Sequence, residues 1–453
     1  MHSMFARQAL LPGGWAENVT VSVSADGSID SVSTDGRIPD SALDLLLPAP
    51  VNLHSHAFQR AMAGLTEMRT GEDSFWSWRQ LMYSFLDQLT PVQVERVAAL
   101  AFMEMLEAGF AAVVEFHYLH HQPDGSRYPD PGEMCGRIIA AAERTGIGLT
   151  LLPVFYRWAG CDRRPVGRNQ CRFACGKDGF LELYESAAVK IAKSKSDFAL
   201  GAAAHSLRAV DPEGIAHALA AAGDGPFHIH AAEQTAEVNE VEQHLGARPV
   251  EYLLRTYDVG QNWCVIHATH MTESETIALA ASGATAGLCP ITESNLGDGI
   301  FNGALYAEQG GRFGIGSDSN LRISALGELR TLEYSQRLAS SRRSVMATRT
   351  RSTGRFLFEE AVKGGASAAA RRSGRIEAGQ FADLIGLTTD NEWVCGRGGD
   401  AALDSLVFAA RFHECVTDVW SAGHHIVRDG RHILRNQIVS DYLDVMRGLR
   451  QAL

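Results

Sequence analysis

No apolar run in this sequence comes near the ~20 residues needed to span a bilayer, which excludes a chain threaded through a membrane by helices. The first residues, Met1-His2-Ser3-Met4-Phe5-Ala6-Arg7, lack the charged-then-apolar pattern of a signal peptide, so a cytoplasmic location is expected. Positive charge is also short. Lys and Arg number 41 against 53 Asp and Glu, a formal charge of -12, which argues against nucleic acid as a partner and means that an anionic substrate needs local arginines. The eight cysteines are scattered through 453 residues, too sparse for a disulfide framework. Cys161, Cys171 and Cys175 share an Arg-rich stretch, but their spacing matches no standard zinc pattern, so reduced thiols are expected. Neither G-x-G-x-x-G nor G-x-x-x-x-G-K occurs, which removes the usual phosphate-binding loops. Internal repeats and low-complexity tracts are absent as well.

The chain does contain a regular alternation. Residues 1–45 hold short alternating segments such as Val19-Thr20-Val21-Ser22-Val23, broken by Asp26-Gly27 and Asp35-Gly36, and read as a small β unit. From about 46 to 374, eight candidate strands alternate with helical segments: Leu46–His54, Ala111–Tyr118, Gly148–Tyr156, Phe198–Ser206, Pro226–Ala232, Trp263–Thr269, Ala284–Pro290 and Arg312–Ser317. Thr90-Pro91 opens a helix with Val94, Val97, Leu100 and Ala101 on one face, ended by Gly109. Eight such units predict a (β/α)8 TIM barrel, with a doubly wound open sheet as the alternative. A helix over Glu359 to about Arg371, a hairpin over Gly374–Leu387, further strands in Val416–Val427 and a helix over Ile438–Leu453 complete the chain. Residues 1–45 and 375–453 are expected to form a small β-sandwich domain from both chain ends, beside a catalytic barrel of 46–374.

Alternate strand residues share a face, so His54 and His56 in Asn52-Leu53-His54-Ser55-His56 place two imidazoles together at the end of the first barrel strand. That pair suits a divalent metal; the plain alternative is two loop histidines. Later strands end in further donors. Phe227-His228-Ile229-His230 offers His230 nearer the strand end, with His228 deeper in the barrel. Val265-Ile266-His267 and Gly316-Ser317-Asp318 add His267 and Asp318. One buried histidine is commonly a core residue, but four strand ends meeting at one barrel mouth make a metal site.

His-x-His on strand one, histidines on strands five and six and aspartate on strand eight resemble the amidohydrolase superfamily, as does the G-x-I-x-x-G-x-x-A-D-L pattern at Gly374–Leu384. Strand four ends Ala202-Ala203-Ala204-His205 without the lysine that bridges two metals in binuclear members. The resemblance therefore points to the mononuclear deaminase-like branch. It implies one Zn2+, or Fe2+ in its place, held by His54, His56, His230 and Asp318, with His267 facing the attacked group.

It narrows to the formimidoylglutamate deiminase family through Asn52–Arg60, Ser74-Phe75-Trp76-Ser77-Trp78-Arg79, Glu115–Tyr118, His205-Ser206-Leu207-Arg208, His230–Gln234 and Asn295–Phe301. Departures are Asn320 where some relatives have histidine, Pro48-Ala49 for Pro-Gly, and the cysteines of Cys161–Cys175.

The implied reaction is hydrolysis of N-formimino-L-glutamate to N-formyl-L-glutamate and ammonia in histidine degradation, by water whose pKa a metal lowers to roughly 7. Asp318 takes the water's proton, Glu233 protonates the leaving nitrogen and His267 stabilises the tetrahedral intermediate. Glu233 could instead belong to the start of the next helix. Arg79 and Arg208 suit the two carboxylates of a small anionic substrate, and by resemblance Gln59, Tyr118 and His205 complete the recognition set. Arg79 could instead stack on Phe75, Trp76 and Trp78. The resemblance also suggests a homodimer. Two rivals remain: a deaminase of a purine, pterin or triazine ring, whose pocket should favour aromatic stacking, and a binding protein that has lost catalysis, which would be expected to lose ligands.

Overall fold

The computed structural model describes residues 2–452 apart from 35, 37, 38, 66, 68–81 and 84. Arg79 and the Ser74–Arg79 segment therefore lie outside the described residues. Eight parallel strands make the barrel: Val51–Ser55, Ala112–His117, Gly148–Phe155, Ala202–Ser206, Phe227–Ala231, Trp263–His267, Thr285–Leu288 and Arg312–Ile315, each hydrogen-bonded to the next in chain order. Their residues are almost wholly buried because side chains fill the barrel on one face and meet helices on the other.

Local sequence explains where the helices start. Thr90 accepts the Gln93 N–H while the Gln93 side chain accepts the Thr90 N–H, opening the helix Pro91–Glu107. Thr272 and Glu275 repeat that exchange at Glu273–Ser282, and Asp211 caps Pro212–Ala222. Gly109, at φ 88°, follows the first helix as expected. No described helix is long and apolar enough to cross a membrane.

The strand expected over Leu46–His54 is two strands in different sheets. Leu43–Pro48 pairs with His2–Leu11 and Leu384–Leu387, and only after Ala49-Pro50 does Val51–Ser55 enter the barrel. Pro50 has no N–H to give a ladder, so the chain changes sheets there. The fourth candidate strand also breaks, at Gly201, into Ala199–Leu200 and Ala202–Ser206. The seventh is shorter than expected because Pro290 begins the helix Pro290–Leu296. The hairpin expected at Gly374–Leu387 is a string of turns, with Gly374 and Gly379 at positive φ, ending in the strand Leu384–Leu387.

Both chain ends build the second sheet. Its order is Arg431–His432, His424–Arg428, Val416–Ser421, Leu384–Leu387, Leu43–Pro48, His2–Leu11, Gly14–Val23 and Ile29–Ser33, antiparallel except where His2–Leu11 meets Leu43–Pro48. One hydrogen-bonded path runs through all eight strands, and it curls on itself: Val19, Val21 and Val23 of the seventh share an apolar cluster with Leu384 of the fourth and Trp420 of the third. The two layers of the expected sandwich thus come from one curled sheet. The motif aspartate Asp383 binds this unit to the barrel. Its carboxylate receives Arg371 Nε at 2.6 Å and Nη2 at 3.0 Å, and Arg371 Nη2 also reaches Asp197 at 3.0 Å.

The barrel closes between its first and eighth strands by a short seam. The Asp318 N–H donates to His54 O at 2.9 Å and the His56 N–H donates to Asp318 O at 3.0 Å. Below it, Asn52 and Ser317 exchange two bonds, Asn52 Nδ2 to Ser317 Oγ at 2.6 Å and the Ser317 N–H to Asn52 Oδ1 at 3.0 Å. Asn320 ties these together: its Oδ1 accepts Ser317 Oγ at 2.6 Å, and its Nδ2 donates to Ser55 Oγ at 3.1 Å and Asp318 O at 3.0 Å. Asn320 sits at φ 56°, a left-handed conformation that asparagine tolerates better than other side-chain-bearing residues. Asn320→Ala should therefore lower stability by about 2–4 kcal/mol through backbone strain and lost buried bonds, read as a fall in unfolding temperature. An unchanged unfolding temperature would show that the Asn320 network does not stabilise the seam.

Candidate active site

The C-terminal ends of the barrel strands open into a cavity lined by His56, His230, Asp318, Glu233 and His267 together with Gln59, Tyr118, His205 and Arg208. His54 is fully buried beneath it. Several strands leave the barrel through left-handed residues, Ala232 (φ 54°), His267 (φ 66°), Ala268 (φ 51°) and Asp318 (φ 46°), so the chain bends sharply where it presents these side chains.

Four donors converge. His54 Nε2 lies 3.1 Å from His230 Nε2 and 3.5 Å from Asp318 Oδ1, and His56 Nε2 lies 3.4 Å from the same oxygen. A tetrahedron of donors around zinc at 2.0–2.1 Å has edges of about 3.3–3.4 Å, close to these three separations, and two sets that share His54 could each hold a metal ion: His54, His56 and Asp318, and His54, His230 and His267. The outer ring atoms are fixed from behind: His56 Nδ1 bonds Phe116 O at 2.9 Å and His230 Nδ1 bonds His205 O at 2.8 Å, which turns each Nε2 lone pair inward. Burial pushes all three histidines toward the neutral form that binds metal, His54 down to about 3. Burial acts the other way on Asp318, but the bond from His54 and the charges of His54, His56 and His267 outweigh it and hold the carboxyl well below its usual range. His228 stays deeper in the barrel, fully buried, with Nε2 2.8 Å from Ala368 O. The Cys161–Cys175 loop belongs to none of the donor clusters found among the described residues, and all eight cysteines are free thiols.

Beside the donors, His267 Nε2 lies 3.8 Å from Glu233 Oε1 and 4.0 Å from Asp318 Oδ2. Glu233 is not the helix cap: that position belongs to Gln234, and the Glu233 carboxylate points into the cavity with Arg208 Nη2 4.0 Å from Oε2. Burial raises the Glu233 carboxyl, against the pull of His267 and Arg208 and with help from Glu237. For His267 burial works downward, yet Glu233, the bond to Glu293 and Asp318 together hold it up at about 10. Of the recognition set, Gln59 Nε2 donates to Tyr118 Oη at 2.9 Å, and Arg208 is buried at the cavity wall.

Reading the sequence missed some of the lining. Met82, Tyr83, Tyr156, Phe173 and Leu296 also face the cavity. Tyr156 was visible as the last residue of the third candidate strand, and Leu296 lies in the quoted Asn295–Phe301 segment. Phe173 and Met82 come from connections and carried no signal. Glu293, in the short helix Pro290–Leu296, reaches His267 Nδ1 at 3.1 Å and likewise had none.

A barrel whose strand ends gather three histidines and an aspartate about one point is an amidohydrolase, and a model of the amidohydrolase family matches residues 45–426. The chain belongs to that family and, within it, to the formimidoylglutamate deiminases. A model described as the N-terminal domain of formimidoylglutamate deiminase matches residues 1–42. The formimidoylglutamate deiminase of Pseudomonas aeruginosa is 45% identical over 452 residues, covering 98% of this chain and 99% of that protein. A 5-methylthioadenosine/S-adenosylhomocysteine deaminase of Archaeoglobus fulgidus is 28% identical over 85% of both chains. The crystal structure of an amidohydrolase from Brucella melitensis superposes with a TM-score of 0.94 at 45% identity, over 99% of this chain and 100% of that one. A zinc-bound adenosine deaminase from Xanthomonas campestris shares the fold, with a TM-score of 0.82 at 20% identity over 99% of this chain and 98% of that one.

Proposed function

We propose that this enzyme hydrolyses N-formimino-L-glutamate to N-formyl-L-glutamate and ammonia, using one Zn2+ per chain (Fe2+ is the alternative) held by His54, His56, His230 and Asp318. The observation that carries the reading is a single cavity lined by His56, His230, Asp318 and Glu233 together with Arg208, whose Nη2 lies 4.0 Å from Glu233 Oε2, in a chain 45% identical to a formimidoylglutamate deiminase. A metal bound there supplies a water of pKa about 7. Asp318 takes that water's proton as its oxygen adds to the formimino carbon. His267 donates a hydrogen bond from Nε2 at the charge that develops there. Glu233 delivers protons to the terminal nitrogen; over the reaction both protons of the water, the one taken by Asp318 and the one left on the added hydroxyl, end on that nitrogen, so the C–N bond breaks, ammonia departs and the formyl group stays on the glutamate nitrogen. Arg208 and, by resemblance, Arg79 take the two carboxylates, with Gln59, Tyr118 and His205 around them.

One observation favours a second reading. Tyr83, Tyr118, Tyr156 and Phe173 line the cavity, as a ring-binding deaminase would require. A panel assay for ammonia release from formiminoglutamate, adenosine-type and guanine-type substrates separates the two, run with metal analysis. Formiminoglutamate should be preferred, with one metal equivalent per chain. Preference for a neutral heterocycle would overturn the substrate, and two tightly held equivalents would overturn the mononuclear site.

The division into residues 1–45 with 375–453 and a catalytic 46–374 belongs to this proposal, although Leu43–Pro48, which straddles the line, pairs with strands from both chain ends. A cytoplasmic location accords with eight free thiols, and the family resemblance carries the proposal of a homodimer.

Glu233→Gln should keep the metal and lose about 10²-fold or more in kcat, the scale of a lost general acid; near-normal turnover would remove Glu233 from proton transfer. Arg208→Met should lower kcat/KM for formiminoglutamate by roughly 10²-fold or more, corresponding to the about 2–5 kcal/mol of a broken buried charge contact. The loss should shrink for an analogue lacking one carboxylate. Equal losses on both compounds would make Arg208 structural.

A further inference from the structure

His267 has two ring nitrogens and two different surroundings. Nε2 faces the cavity, 3.8 Å from Glu233 Oε1 and 4.0 Å from Asp318 Oδ2. Nδ1 faces away from it, 3.1 Å from Glu293 Oε1. Both residues are almost fully buried, at 1% and 5% exposure, so water does not compete for this contact. Glu293 is itself held: the Cys289 N–H donates to the same Oε1 at 2.8 Å, and the Glu293 carbonyl accepts the Asp298 N–H at 2.9 Å. The short helix Pro290–Leu296 that carries Glu293 is anchored to the eighth-strand end by Thr292 Oγ1, 3.3 Å from Ser317 O and 3.1 Å from Ser319 Oγ. His267 needs such support, because at φ 66° its backbone is in a left-handed turn that does not by itself fix the ring.

We propose that Glu293 is a positioning residue for the reaction: its carboxylate fixes the His267 ring with Nδ1 protonated, so that Nε2 is the nitrogen presented to the reacting atoms. The argument rests on the role given to His267 above. A carboxylate oxygen that already accepts a backbone N–H offers His267 only lone pairs, so Nδ1 must bring the proton. With Nδ1 committed, the ring cannot flip without taking the Nδ1 N–H away from its buried acceptor. Glu293 does not line the cavity; it acts through His267. The competing explanation is that Glu293 only caps its helix through Cys289 N–H, and the two make different predictions.

The first measurement is the ¹⁵N spectrum of the metal-loaded enzyme with labelled histidine, the His267 signals being assigned by their loss in His267→Asn. Nδ1 should be protonated in the wild type and should become a mixture of protonated and unprotonated forms in Glu293→Leu. An unprotonated Nδ1 in the wild type overturns the proposal. The second is a double-mutant cycle. Glu293→Leu should keep the metal and KM and lose kcat by about 10- to 100-fold, the range for removing a group that orients a site histidine. In a His267→Ala background the same change should cost almost nothing. A loss of equal size in both backgrounds makes Glu293 structural and overturns the proposal. Should Glu293→Leu fail to fold, Glu293→Gln takes its place in the cycle: its oxygen can still receive both N–H groups, so the loss should be smaller and again confined to the background that retains His267. Normal turnover in His267→Ala itself would instead remove the role of His267 on which the inference stands, a result distinct from failure of the Glu293 arm.

Discussion

Barrel closure and the candidate metal donors fall on the same residues. The backbone of Asp318 gives its N–H to His54 and takes the N–H of His56, so the first and eighth strands meet at residues whose side chains also converge. A metal bound to those side chains would pull on both strands at the seam, and a loosened seam would spread the donors. Folding and metal binding are therefore coupled: any ion that prefers the closed arrangement stabilises the barrel by mass action. The Asn52–Ser317–Asn320 network lies beneath and keeps the seam hydrogen-bonded where water does not reach.

Charge in the cavity is organised by burial acting in opposite senses. It keeps His54, His56 and His230 neutral, which frees their lone pairs at neutral pH, and it drives the Glu233 carboxyl toward its protonated form, which a proton donor needs. The exception is His267, which three carboxylates surround and hold charged. Side chains that burial keeps proton-free and side chains that keep their protons thus sit within a few ångströms of each other, distinguished by what lies behind each one. Phe116 O and His205 O stand behind two of the donors, and a carboxylate stands behind His267.

The placement of these side chains was legible because strand geometry repeats every second residue: His54 with His56, and His230 above His228, follow from that period. The terminal Asp318 and His267 follow from counting strands. What could not be read was whatever tertiary folding brings in from elsewhere. Glu293 is an ordinary glutamate in a seven-residue helix, and only the turn after strand seven sets it beneath His267. Phe173 returns to Tyr156, at a ring separation of 5.8 Å, from the far end of the connection after the third barrel strand, a fold-back that no spacing encodes. The first barrel strand was drawn too long because Leu43–Pro48 is as apolar as a barrel strand; it is buried in a different sheet, and hydrophobicity does not say against what. Arg79, read as a substrate contact, falls outside the described residues.

The second sheet is stitched from the two ends of the chain, and this constrains the order of events during synthesis. Leu43–Pro48 is flanked by His2–Leu11, available at once, and by Leu384–Leu387, which is made only after the whole barrel. Until then the N-terminal hairpin strands have one open edge and half a core, with Val19, Val21 and Val23 waiting for Leu384 and Trp420. The nascent chain thus carries an unpaired apolar strand through most of its translation, the condition under which sheets pair with the wrong partner. The last helix, Arg435–Ala452, then lies along the first barrel helix and pairs Arg435 with Glu107 and Asp441 with Arg144. A ribosome that stalls, or a protease that clips, anywhere before Leu384 would release a chain whose earliest residues lack the strands they close against.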